Sequence, residues 1–352
     1  MSWEANVKRA VPYVPGEQPK GSGVIKLNTN ENPYPPAPGV DRLFKEFSYQ
    51  SLRLYPDTGS ARITEALAAY YHLDASQVFV GVGSDDVLSM AFLTFFHSGR
   101  PILFPDITYS FYDVWADLYG IPYKVCPLDE DFRIVPGQYM QKNGGIIFPN
   151  PNAPTGVYET LELIEDILKA NPDVVVIVDE AYIDFGGESC IGLISKYDNL
   201  LVVQTFSKSR SMAGMRIGFA MGSQKLIRYL NEVKFSVNSY TMNMPSQIIG
   251  VEAVRDDSYF KETNAKIMAT RERVKGQLKE LGFTFPDSKA NFIFARHASI
   301  PGKKIFEELK ARNILVRHWG KDRINQYLRI TVGTDEQMDA VVNALREITA
   351  NA

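Results

Sequence analysis

Cysteine is nearly absent from this chain, with only Cys126 and Cys190 among 352 residues. Two are too few for a disulfide framework. Both sit in or beside apolar stretches, so buried thiols in a reducing compartment are expected. Histidine is also sparse, and His72, His97, His297 and His318 show no metal-ligand spacing with each other or with the cysteines. Excess positive charge is lacking too: the formal net charge is −3 and no basic run stands out, which leaves no electrostatic footprint for nucleic acid. No apolar run is long enough to span a bilayer, and the opening MSWEANVKRA lacks the apolar core of a signal peptide. A cytoplasmic protein without membrane contact is expected. What is present is ample: 45% hydrophobic and 22% charged residues, enough for one large domain or two unequal ones.

The chain divides by texture. Residues 1–44 read as an N-terminal arm rich in turn formers, where Pro33, Pro35, Pro36 and Pro38 oppose a helix. Such an arm cannot form its own core and is expected to pack on the smaller domain or on a partner subunit. Residues 45–245 alternate helical pieces with short apolar runs: QVFV (77–80), PILF (101–104), YKVC (123–126), GIIF (145–148), VVVIV (174–178), LLVVQT (200–205) and IGFAM (217–221). VVVIV is apolar on both faces, as in parallel strands covered on either side. An α/β fold follows, its large domain a mostly parallel sheet covered by helices. Residues 246–352 predict a smaller α+β domain. It holds a helix over 258–281 ending at Gly282, strands FIFAR (292–296), ILVR (314–317) and YLRITV (327–332), and a last helix opened by Thr334 with Gln337 three residues on, a capping-box spacing.

Polar clusters follow the strand ends, the edge at which open α/β sheets bind ligands. Gly81-Val82-Gly83-Ser84-Asp85-Asp86 has no third glycine for a dinucleotide fingerprint and no lysine for a P-loop. It remains a helix N-terminus able to bind one phosphate. Asn150-Pro151-Asn152-Ala153-Pro154-Thr155-Gly156 follows GIIF and, alone, is a proline-stiffened loop. Asp179-Glu180-Ala181-Tyr182 follows VVVIV, and an aspartate in a desolvated place needs a cation or donors. Lys208, in Thr205-Phe206-Ser207-Lys208, is by itself an ordinary solvated lysine. Together they differ. A phosphate cradle, a carboxylate, a phenol and an amine at one sheet edge is the set that pyridoxal phosphate needs. The amine bonds its aldehyde, the carboxylate keeps its ring nitrogen protonated, and a phenol and an amide hydrogen-bond its ring hydroxyl.

Asn-x-Ala-Pro-Thr-Gly, Asp-Glu-Ala-Tyr, Thr-Phe-Ser-Lys and Ala213-Gly214-Met215-Arg216-Ile217-Gly218, in this order, resemble the fold-type I aminotransferases of the aspartate aminotransferase superfamily. Within it, Leu27-Asn28-Thr29-Asn30-Glu31-Asn32-Pro33, Leu54-Tyr55-Pro56-Asp57 and Leu328-Arg329-Ile330-Thr331-Val332-Gly333 are similar to histidinol-phosphate aminotransferases. The resemblance implies pyridoxal 5′-phosphate as cofactor, with Lys208 as the Schiff-base lysine and proton shuttle. Asp179 is then the partner of the ring nitrogen and Tyr182 that of the ring oxygen. It implies Tyr109 stacked on the ring, and Ser207, Arg216 and the backbone of Ser84 and Asp85 on the cofactor phosphate. Tyr55 would come from the neighbouring subunit of a homodimer. Arg329 would take the carboxylate of glutamate, and Arg317 with Tyr13 the phosphate of a phosphorylated amino alcohol. One site would thus accept either anion, a task suited to the planar fork of arginine. Where the family usually has asparagine before Pro-Thr-Gly, this chain has Ala153. Two alternatives follow: Asn152 takes the contact to the ring hydroxyl, or Tyr182 serves alone. An aromatic amino acid aminotransferase and a phosphothreonine-type decarboxylase stay open on the same scaffold.

Overall fold

The computed structural model describes residues 3–14, 16–19 and 23–351. In chain order the strands are β1 (Ile25–Lys26), β2 (Val78–Gly81), β3 (Ile102–Pro105), β4 (Tyr123–Cys126), β5 (Ile146–Pro149), β6 (Val176–Asp179), β7 (Leu200–Thr205), β8 (Gly218–Gly222), β9 (Phe283–Thr284), β10 (Phe292–His297), β11 (Ile314–Leu315), β12 (Arg317–His318) and β13 (Leu328–Thr331). The helices are α1 (Pro38–Glu46), α2 (Ala61–Tyr71), α3 (Ser84–Phe95), α4 (Tyr112–Tyr119), α5 (Leu161–Ala170), α6 (Gln224–Val237), α7 (Met244–Arg255), α8 (Asp257–Glu280), α9 (Gly302–Ala311) and α10 (Asp335–Ala350).

Among the described residues the main sheet has the order β2-β8-β7-β6-β5-β3-β4. β4, β3, β5, β6 and β7 run parallel; β8 is antiparallel to both β7 and β2. The expected mostly parallel sheet is therefore present. Its central strands show why two apolar faces were written into the sequence. Leu200 and Val202 join the core beneath α2, α5 and α7, while Leu201 and Val203 join the core beneath α3, α4 and α6. Register aligns Pro149, Asp179 and Val203 across β5, β6 and β7. β8 starts at the same edge, Gly218 pairing with Thr205 and with Gly81 at the end of β2. Segments that follow these strands are thereby gathered in one place.

The smaller unit is an antiparallel sheet, β12-β13-β10-β9, packed with α8, α9 and α10. The Thr334–Gln337 capping box forms with both of its bonds. Three details depart from the sequence reading. ILVR is split: β11 pairs in parallel with β1 of the arm, and β12 pairs with β13. The arm holds a helix, α1, with Pro38 in its first turn, where a missing N–H costs nothing. The boundary drawn at 245/246 falls inside α7, whose Ile249, Val251, Ala253 and Val254 belong to the core of the large sheet. No helix among the described residues is long and apolar enough to cross a membrane.

Candidate active site

β6 delivers Asp179 to the sheet edge, 5% exposed. Its Oδ2 accepts from Tyr112 Oη at 3.0 Å and its Oδ1 from the Ala181 N–H at 3.2 Å. Burial raises the carboxyl to about 6, a push that these donors and nearby Lys208 only partly offset. Tyr182 follows, buried, its Oη accepting from Asn30 Nδ2 at 2.9 Å. Lys208 lies beyond the end of β7. Its Nζ donates to the Thr29 carbonyl at 3.1 Å and lies 5.8 Å from the centroid of the Tyr182 ring. Lys208 makes no ion pair among the described residues.

An anion cradle sits beside them. α3 begins at Ser84 after Gly83, whose φ of +85° is left-handed. Gly218 crosses so close that a Cβ on it would stand 2.2 Å from the Gly83 carbonyl carbon and 2.3 Å from the Ser84 nitrogen. A Cβ on Gly83 would in turn meet Arg216 Nη2 at 2.5 Å. Arg216 has a left-handed backbone (φ 52°), and its guanidinium makes long contacts, to the Ala213 carbonyl at 3.3 Å, Ser207 Oγ at 3.4 Å and Asp85 Oδ2 at 3.5 Å. A helix N-terminus, a serine hydroxyl and a loosely held guanidinium thus converge, as a phosphate requires.

Ser84, Asp85, Tyr109, Asp179, Tyr182, Ser207, Lys208 and Arg216 all line one cavity of ≈170 Å³. Tyr109 closes a side of it, donating Oη–H to Asp85 Oδ1 at 2.7 Å; burial pushes this phenol well up. Tyr109 and Ala153 are shared with an adjoining cavity of ≈110 Å³ that Tyr13, Arg317, Trp319 and Arg329 line. Arg317 and Arg329 are direct cross-strand partners on β12 and β13. Their guanidinium carbons lie 5.7 and 5.4 Å from the centroid of the Trp319 ring, within cation–π range. Arg317 Nη2 donates to the Val14 carbonyl at 3.2 Å and Arg329 Nη2 to the Asn28 carbonyl at 3.0 Å. Arg329 Nε is buried without a partner, and burial lowers this guanidinium from its ordinary value. Among the described residues neither arginine has a carboxylate partner. Tyr13 packs against Phe111 in a tilted ring pair with centroids 4.4 Å apart.

Two sequence candidates stand outside these cavities. Asn152 donates Nδ2–H bonds to the Ile107 carbonyl and to Thr155 Oγ1, both at 3.0 Å, and its buried Oδ1 has no partner. Tyr55 is 78% exposed and packs against Tyr240 in a tilted ring pair with centroids 4.5 Å apart. A larger groove of ≈890 Å³, bordered by Gly59, Glu65, Lys225 and Lys234, contains none of the groups above.

A family model described as aminotransferase class I and II matches residues 22–345. The chain belongs to the class I and II aminotransferases. This aminotransferase is 50% identical over 351 residues to the histidinol-phosphate aminotransferase of Lactococcus lactis subsp. cremoris (strain SK11), covering 100% of this chain and 99% of the relative. It is 52% identical over 351 residues to histidinol-phosphate aminotransferase 2 of Dechloromonas aromatica (strain RCB), covering 99% of each. The crystal structure of the Sinorhizobium meliloti histidinol-phosphate aminotransferase in complex with pyridoxal-5′-phosphate superposes with a TM-score of 0.85 at 21% identity, covering 93% of this chain and 91% of that one. That likeness shows a shared fold.

Sequence reasoning missed several side chains of the aminotransferase site. Tyr112 bonds Asp179, Asn30 bonds Tyr182, Asn32 Nδ2 donates to the Lys208 carbonyl at 3.0 Å, and Trp319 underlies both arginines. The stretch Leu27–Pro33 carried the resemblance but gave no hint of which site groups its asparagines touch.

Proposed function

We propose that this aminotransferase uses pyridoxal phosphate to move an amino group from a phosphorylated amino alcohol to 2-oxoglutarate, giving glutamate and the corresponding ketone phosphate, or the reverse, with histidinol phosphate and 2-oxoglutarate as its substrate pair. The relatives at about half identity carry that name over nearly their whole length. The observation that carries the substrate class is the pair Arg317 and Arg329, half-buried side by side on neighbouring strands with no carboxylate partner among the described residues, Arg329 also desolvated. Two adjacent cations without an acid repel one another, and an arriving anion relieves that repulsion. One cavity serving both a carboxylate and a phosphate ester fits guanidinium chemistry.

The residues present fit the cofactor. A buried carboxylate and an amine, neither in an ion pair among the described residues, and a cradle closed by Gly83 and Gly218 meet in one cavity. Ser207, Arg216 and the first N–H groups of α3 would hold its phosphate, Asp179 its ring nitrogen, Tyr182 its ring oxygen and Tyr109 its face. Bound, pyridoxal phosphate supplies an aldehyde and a ring that withdraws electrons from the substrate α-carbon. Lys208 Nζ supplies the amine and, once free, is the base that takes and returns the proton. Asp179 keeps a positive charge on the nitrogen it faces. Arg329 orients the amino donor by its carboxylate, while Arg317 and Tyr13 hold the phosphate of the alternate substrate.

The working unit in this reading is a homodimer in which Tyr55 serves the partner's site. Exposed apolar side chains along 49–55 (Tyr49, Leu52, Leu54, Tyr55) and 235–240 (Phe235, Val237, Tyr240), joined by the Tyr55–Tyr240 ring contact, supply a face to cover. Residues 1–44 then act as the arm, residues 45–245 extended through α7 to Arg255 as the cofactor unit, and the remainder to 352 as the smaller unit. The deciding assay compares amino donors in single half-reactions: histidinol phosphate, phenylalanine, tyrosine and threonine phosphate. Histidinol phosphate is expected to react best, and Arg317→Lys to raise its KM about tenfold or more with a smaller effect on glutamate. Preference for an unphosphorylated aromatic donor would refute the role of Arg317.

A further inference from the structure

Three consecutive residues of the arm each touch a different side chain of the site. The Asn28 carbonyl accepts from Arg329 and the Thr29 carbonyl from Lys208, while the Asn30 side chain donates to Tyr182 Oη. The third contact differs in kind, because it acts on a group whose own proton is to be used.

Asn30 is 1% exposed and its backbone is left-handed (φ 56°), a conformation asparagine tolerates better than most residues. Its surroundings set its amide. The Asn30 N–H donates to Thr331 Oγ1 at 3.1 Å, so the threonine hydroxyl proton is free to go to Asn30 Oδ1, also 3.1 Å away. Nδ2 is thereby turned to Tyr182 at 2.9 Å, and Asn291 Nδ2 pins the Asn30 carbonyl at 3.0 Å. A phenol that accepts on one lone pair keeps its proton for another acceptor, and the incoming N–H makes that proton a better donor. Ala153 lines the same cavity without a polar side-chain atom, and the Asn152 amide protons are already spent on Ile107 and Thr155. No side-chain amide lines this cavity among the described residues.

We propose that Asn30 is a positioning residue that aims and strengthens the Tyr182 hydroxyl as the donor to the cofactor ring oxygen, doing through the phenol what an amide at position 153 would do directly. This rests on the pyridoxal-phosphate reading given above. It also ties the phenol to β13, since Thr331 lies two residues from Arg329 on that strand. The opposite amide orientation would take the phenol proton away from the cavity, and the experiment separates the two.

Borohydride reduction of the wild-type holoenzyme comes first and should fix the cofactor on the peptide containing Lys208. Absence of label there would refute the cofactor reading itself. With label present, the absorbance of bound pyridoxal phosphate is titrated against pH in wild type, Tyr182→Phe, Asn30→Ala, Asn30→Asp and the double variant Asn30→Ala/Tyr182→Phe. Loss of the phenol should raise the apparent pKa of the bound cofactor. Asn30→Ala should raise it by about half a unit to one unit, the worth of one hydrogen bond felt through the phenol. The double variant should match Tyr182→Phe alone. Asn30→Asp keeps the volume and the left-handed tolerance, so it carries the test if the alanine variant does not fold. As an acceptor it should raise the value at least as far. Wild-type titration in both Asn30 variants, or an Asn30 effect that persists undiminished without the phenol, would overturn the proposal.

Discussion

The carboxyl of Asp179 allows a prediction in which one substitution has opposite effects in the presence and absence of cofactor. Burial raises its folded value from 3.8 to about 6. Between those values the folded chain holds a proton that the unfolded chain has lost. Stability of the cofactor-free protein therefore falls as pH rises across that window and stays low above it. Two units correspond to about 3 kcal/mol at pH 8. Asp179→Asn removes the charge but turns an amide towards donors that the carboxylate satisfied, Tyr112 and the Ala181 N–H, which returns about 1–2 kcal/mol. The net expectation at pH 8 is a cofactor-free variant more stable than wild type by about 1–2 kcal/mol, or about 1–3 °C in Tm for a chain of this length. By about pH 4 the gain should vanish, since the carboxyl is then protonated in the folded chain and the unfolded one, near 3.8, is close to half protonated. Glu180, raised by burial to about 7, gives wild type and variant the same background slope. With cofactor bound, the sign reverses. The carboxylate then faces a cationic nitrogen, and breaking such a buried pair costs about 3–5 kcal/mol, or about a hundredfold to several thousandfold in kcat/KM. Calorimetric melts of cofactor-free and loaded protein at pH 4 and pH 8, with steady-state assays, test both arms. A cofactor-free variant less stable than wild type at pH 8 would refute the reasoning.

Two further outcomes follow from the cradle and the proposed dimer. Gly218→Ala puts a methyl into the backbone of Gly83 and Ser84, which must move; cofactor affinity should drop about 10- to 100-fold by spectral titration, with little effect on the KM of either substrate once the cofactor is saturating. Mixing inactive Lys208→Ala chains with a Tyr55→Ala variant should yield hybrids with one intact site and measurable activity after subunit exchange; failure of exchanged hybrids to exceed the parents would remove Tyr55 from the partner's site.

What the sequence makes legible is local. Asp179 and Lys208 each follow a run of apolar residues that can only be a covered strand, so their arrival at one edge needs nothing beyond the rule for parallel sheets. Gly83 and Gly218 are likewise visible as glycines, though only the crossing of β8 over the start of α3 explains the second. ILVR reads as one strand because its own residues do not say which partner each half meets. α1 was hidden by Pro38, since proline at the first helical turn looks the same in sequence as proline in an arm. The boundary at 245 followed a change of texture, but α7 is held to the large sheet by packing across nearly two hundred residues of chain from α2.

The side chains that tune the site were the hardest to read, and the reason is general. Asn28 and Asn30 are 3% and 1% exposed in a stretch, LNTNEN, whose composition reads as a solvated loop. A buried polar residue is informative because its partners must exist, yet burial is a property of the assembled fold. Here the partners lie 152 residues away at Tyr182 and 301 away at Thr331. The arm therefore does more than cover the smaller unit: three consecutive residues hold Arg329, Lys208 and Tyr182 by one hydrogen bond each. A shift of this segment would move all three contacts together, so in the proposed reading substrate anchoring at Arg329 and the aim of the Tyr182 hydroxyl would share one mechanical element.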